Sequence, residues 1–114
     1  CRTPLDMVVE CVTSPHFLAP TIANRALAPM DEESYANHGI TSLEAARAAW
    51  EAAKPSLYAA IRDFPSDQLE VPIETPWGTF PWRDFIAYCY WNPMWHAGQL
   101  AYIQTIHGDT DMAF

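Results

Sequence analysis

Seven residues, Phe85, Cys89, Asn92, His96, Gln99, Ile103 and Ile106, follow one another at alternating spacings of four and three. That rhythm keeps them on one face of a helix, so the segment must fold as a long helix with one side turned toward the rest of the chain. The face is apolar at both ends and polar at three successive positions in its middle. A buried polar side chain left unpaired costs on the order of 1–3 kcal/mol. Asn92, His96 and Gln99 must therefore be satisfied by one another, by water or by an ion. The helix is expected to begin near Pro81 and to end at Ile106 or His107, with Gly108 as a left-handed stop. Pro93 removes a backbone NH, frees the carbonyl of Cys89 and bends the helix beside Asn92.

A second seam, Leu43, Ala46, Trp50, Ala53, Leu57, Ile61 and Phe64, predicts another long helix. Thr41 with Glu44 reads as its capping box, Pro55 should bend it, and Pro65 should end it. An earlier helix is signalled by Thr3 as N-cap, Pro4 at the first helical position and Asp6 closing a capping box. Leu5, Met7, Val8, Val9, Cys11 and Val12 cover nearly every side of it, which implies burial on several faces. Pro15 and Pro20 predict a kink or break near Ser14. Residues 26–40, with Pro29, the acidic run Asp31 to Glu33, Asn37 and Gly39, read as loop. Residues 65–81 read as a linker of turns with aromatic plugs, a short hairpin being the other option. The fold class expected from these elements is all-α, a helix bundle in one domain spanning residues 1–114.

Half of the 114 residues are hydrophobic and 18% are charged, enough for a real core. A net charge of −8 with six basic residues argues against nucleic acid or an anionic membrane as partner, since phosphate binding needs clustered Lys and Arg. No apolar run approaches the roughly 20 residues of a membrane span, and no signal peptide is visible. Cys1, Cys11 and Cys89 form no CxxC spacing, which suits a reduced, cytoplasmic protein.

Asn92 and His96 lie one turn apart, and Gln99 follows. Two readings stand side by side. One is a hydrogen-bonded core network in which Asn92 or Gln99 fixes the imidazole tautomer. The other is a metal or active-site pocket of the kind bundles build from facing helices. His16, His38 and His107 read as surface residues, and Tyr88, Tyr90, Trp91, Trp95 and Tyr102 as core or interface packing. No Cys/His pair or Ser/His/Asp arrangement is spaced for catalysis.

The stretch from Trp91 to Gln104, with Asn92, His96-Ala97-Gly98-Gln99 and then Gly108-Asp109, resembles the last helix of DinB/YfiT-like proteins. Thr75-Pro76-Trp77-Gly78 resembles the linker before it, and the stretch from Thr3 to Cys11 resembles the start of that family's second helix. The resemblance implies an antiparallel up-down four-helix bundle, commonly dimeric, with a divalent metal held by three histidines. It implies that the family's first helix is lacking here, so that a separate chain or a second protomer fills the open groove. Carried over position by position, the metal ligands fall on His96, Asn92 and Glu10. Glu and Asn in place of two imidazoles should weaken Zn or Ni and favour a harder ion such as Mn, or none.

Several functions follow as expectations. One is a divalent-metal-dependent hydrolase or thiol transferase with an altered site, Glu10 and His96 being the catalytic pair. Another is a non-catalytic helical binding or interaction module, with the Asn92, His96 and Gln99 cluster as a structural network and its pocket holding a small molecule or nothing. A third is a bundle fragment that self-associates. The expected partner is a second copy, as a homodimer, or a chain supplying the missing helix.

Overall fold

The computed structural model describes residues 2–30 and 38–111. Its first two helices, α1 (Pro4–Thr13) and α2 (Pro15–Asn24), are two halves of one bent rod. The capping box is present: Thr3 accepts from the Asp6 amide, and the Asp6 carboxylate accepts from the Thr3 amide. Pro15 has no amide hydrogen to give, so the helical ladder is interrupted there and resumes with Leu18 donating to the Ser14 carbonyl at 2.9 Å. The break falls at Ser14, where the prolines predict it. Arg25 closes α2 in the left-handed conformation, with φ 52°.

Helix α3 (Leu43–Arg62) is capped by Ser42, whose hydroxyl accepts from the Ala45 amide at 3.1 Å. The expected cap, Thr41, lies one residue too early. Of the second seam, Ala46, Ala53 and Leu57 are buried, while Leu43 in the first turn is exposed. The final helix, α4 (Trp82–Ile106), passes through Pro93 without ending, and Gly108 takes φ 87° just beyond it.

The all-α expectation is corrected by the linker. After a short 3-10 turn, Ser66–Gln68, strands β1 (Pro72–Thr75) and β2 (Gly78–Pro81) pair antiparallel, with Ile73 opposite Phe80. The physical reason is turn chemistry. Gly78 adopts φ 132°, the Thr75 hydroxyl donates to the Gly78 carbonyl at 2.7 Å, and it accepts from the Trp77 amide. A chain bracketed by Pro72 and Pro81 cannot continue a helical ladder, and Ile73 gains burial by joining the core. The molecule is thus a mixed assembly of helical rods with a small hairpin, not a pure four-helix bundle.

One core cluster joins Leu18, Ala19 and Ile22 of α2, Leu57 and Ala60 of α3, Ile73 of β1, and Trp82 and Phe85 of α4. A second joins Val9 and Val12 of α1 to Ile40 and Ala46, and Trp50 packs against both. The α1–α2 rod lies in the middle, with α3 on one side and α4 on the other. That central position accounts for the all-round apolarity of α1. Among the described residues no helix is long and apolar enough to cross a membrane. The acidic run Asp31 to Glu33, Asn37 and Cys1 lie outside the described residues.

Candidate functional site

Two contacts orient α4 on the central rod: Phe85 meets Phe17 edge-on, and His96 meets Glu10. Moving forward along α4 thus moves backward along α2 and α1, so α4 runs antiparallel to the rod. This places the polar middle of the seam against the last turns of α1. Asn92 and His96 are each 5% exposed, as the periodicity requires.

The imidazole is held from both sides. Its Nδ1 lies 2.8 Å from Gln99 Oε1 and its Nε2 lies 3.2 Å from Glu10 Oε1. The carboxylate can only accept, so Nε2 donates to it, while Nδ1 faces the Gln99 side-chain amide. The Gln99 amide presents an acceptor at one end and a donor at the other, so it can complement Nδ1 in either hydrogen-bonding role. The other Glu10 oxygen is engaged by the Arg2 guanidinium. Burial pushes the Glu10 carboxyl up, but the hydrogen bonds from Arg2 and His96 and their charges outweigh it, and the net shift is downward. Glu10 is held as a carboxylate between two cationic or donor groups.

Asn92, one turn before His96, behaves differently. Its Nδ2 is buried and has no hydrogen-bond partner. Of the three residues that the resemblance assigns to a metal, the structure therefore joins Glu10 and His96. It leaves the Asn92 side-chain NH2 group unpaired. Among the described residues no group of three or more His, Cys, Asp and Glu is placed to hold a metal. The donor set does not fit a resident divalent ion: a guanidinium already shares the carboxylate, and both imidazole nitrogens already have partners within the protein.

No family model, curated protein or solved structure matches this chain. The likeness to DinB/YfiT proteins rests on the quoted residues alone.

Neither described thiol is activated as a thiolate. Burial, and then the Glu10 charge, push Cys11 up to about 11, and burial pushes Cys89 up to about 11. His16, His38 and His107 are exposed, with His38 Nδ1 accepting from the Ile40 amide at 2.8 Å. Two features escaped the sequence reading. Arg2 has no place in the helical seams, and no periodicity pairs it with Glu10, eight residues on. The second was visible in the sequence: from residue 85 to residue 108 there is no Asp, Glu, Lys or Arg. The exposed side of that segment carries Tyr88, Tyr90, Trp91, Met94, Trp95, Tyr102 and Ile106. Of the two alternatives for Tyr88, Tyr90, Trp91, Trp95 and Tyr102, core or interface packing, the core one is overturned, because α4 meets the rod along one narrow face only.

Proposed function

We propose that this chain is a non-catalytic helical interaction module that pairs with a second copy through the outward face of α4. The Glu10, His96 and Gln99 contacts act as a structural network that holds α4 on the central rod. The observation that carries the reading is the exposed aromatic face of α4: Trp91 is 55% and Trp95 56% exposed, with their rings stacked at 5.6 Å. Isolated exposed hydrophobics are ordinary, whereas a contiguous set of this size marks an interaction site. Tyr, Trp and Met are the residue types enriched at interface centres.

Charge selects the partner. In a two-fold interface each patch meets its own copy, so a chain of net charge −8 can approach itself only where the surface is uncharged. The face of α4 meets that condition from residue 85 onward. Gly98 lies on it with open space around its missing Cβ, which lets two helix backbones come close.

Sedimentation velocity over a concentration series should show a dimer that Trp91→Asp converts to a monomer of unchanged helical content. A wild-type protein that stays monomeric at every concentration overturns the pairing. Elemental analysis of protein purified without a polyhistidine tag should find metal well below one equivalent. A stoichiometric ion that His96→Ala abolishes would overturn the structural-network reading.

A further inference from the structure

Helix α4 carries a second seam beside the buried one. Trp91, Trp95, Gly98, Tyr102 and Thr105 follow one another at spacings of four, three, four and three. That is the rhythm by which one helix packs along another at a shallow angle. All five residues are exposed.

Gly98 is the informative member. It lies inside a helix of 25 residues, where glycine is the most costly residue after proline. Neither ordinary reason for glycine applies there: its φ is not positive, and a Cβ added to it would meet no atom within 4 Å. The notch it leaves accommodates nothing within the described fold. One turn earlier on the same seam stands Trp95, its ring ordered by stacking on Trp91 at 5.6 Å. A knob and a hole thus lie side by side on one uncharged face.

A symmetric pair can combine them in two ways. With the two helices parallel, each residue meets its own copy, so indole lies on indole in one layer and glycine on glycine in the next. One layer is overfilled and its neighbour is empty, and both faults are costly. With the helices antiparallel, Trp95 of each copy meets Gly98 of the other, and Trp91 meets Tyr102. Every layer is then filled, and the opposed helix dipoles attract. The same register brings Asp84 opposite Asp109 at the two ends, where Asp84 already meets Arg83 and Asp109 accepts from Gln104, each at 3.3 Å.

We infer that two copies of this chain join with their α4 helices antiparallel, the Trp95 indole of each seated on Gly98 of the other. The inference rests on the pairing through α4 proposed above and adds its orientation, its register and its anchor. Aromatic side chains in well-packed pockets dominate the energies of interfaces of this kind.

Two measurements test it. In a sample mixed from isotopically labelled and unlabelled protein, filtered NOE spectra report contacts between copies. Trp95 ring protons should reach the Gly98 α-protons, and Trp91 should reach Tyr102. Contacts of Gly98 with Gly98 and none between Trp95 and Gly98 would overturn the register while sedimentation still shows the dimer. A protein that sediments as a monomer overturns the pairing and the register together. Gly98→Leu fills the notch yet suits a helix better than glycine, so the dimer should weaken about tenfold or more with helical content kept. Ala97→Leu, exposed but off the seam, should leave the dimer unchanged. Wild-type affinity in Gly98→Leu, or an equal loss in Ala97→Leu, would also overturn the inference.

Discussion

Glu10 is pulled in two directions. Burial favours its neutral form, while Arg2 and His96 favour the carboxylate and prevail, so its pKa in the folded chain lies below the ordinary 4.5. A group depressed in this way stabilises the fold above its unfolded pKa, and the contribution is lost as pH falls through the folded value. Urea unfolding from about pH 6 to about pH 3 should therefore show stability declining below about 4.5. Glu10→Gln should be less stable at neutral pH and lose less on acidification. A variant with the same acid slope as the wild type would remove Glu10 from the network. His96 and Gln99 were legible as neighbours because three residues on a helix set their spacing. Glu10 and His96 are 86 residues apart, and no local pattern encodes such a meeting; only the resemblance pointed to it.

Helix boundaries turn on single hydroxyls, and α3 shows how finely. Thr41 and Ser42 are both good caps, and the spacing of Thr41 to Glu44 imitates a capping box. The chain uses Ser42, which bonds the Ala45 amide and leaves Glu44 free in the first turn to face the positive end of the helix dipole. Ser42→Ala should cost about 1 kcal/mol in chemical denaturation, and Thr41→Ala, at an exposed position, less than about 0.5 kcal/mol. The reverse order would return the cap to Thr41. Elements with long periodic seams could be read from sequence: α4 is expected from about Pro81 and is found as Trp82–Ile106. The hairpin was legible only as the second option for residues 65–81, because strands of four residues, with Ile73 facing Phe80, are too short to display alternation. The seam of α4 also runs out of partners. Arg2 already sits beside the Glu10 contact, so the last turns of α4 pass the described start of the rod and Ile106 is 63% exposed.

At the scale of the whole molecule, charge and apolar surface are segregated. Every Asp, Glu, Lys and Arg behind the net −8 lies outside residues 85–108, while the uncharged aromatic face occupies most of the length of α4. If two copies meet through that face, the only electrostatic effect of pairing is repulsion between the acidic remainders, which salt screens. Raising ionic strength from about 50 mM to about 500 mM, which shortens the screening length several-fold, should thus strengthen the dimer. An interface built on ion pairs would weaken instead. The same coupling reaches stability, because a dimer that unfolds to separate chains gains about 1.4 kcal/mol for each tenfold rise in concentration. Its thermal midpoint should rise by about 3 °C per decade of protein concentration. Trp95→Asp places a carboxylate at the centre of the face, where its copy must meet it, and should make the midpoint independent of concentration. A wild-type midpoint that ignores both salt and concentration would mean that the face is not covered by a second chain.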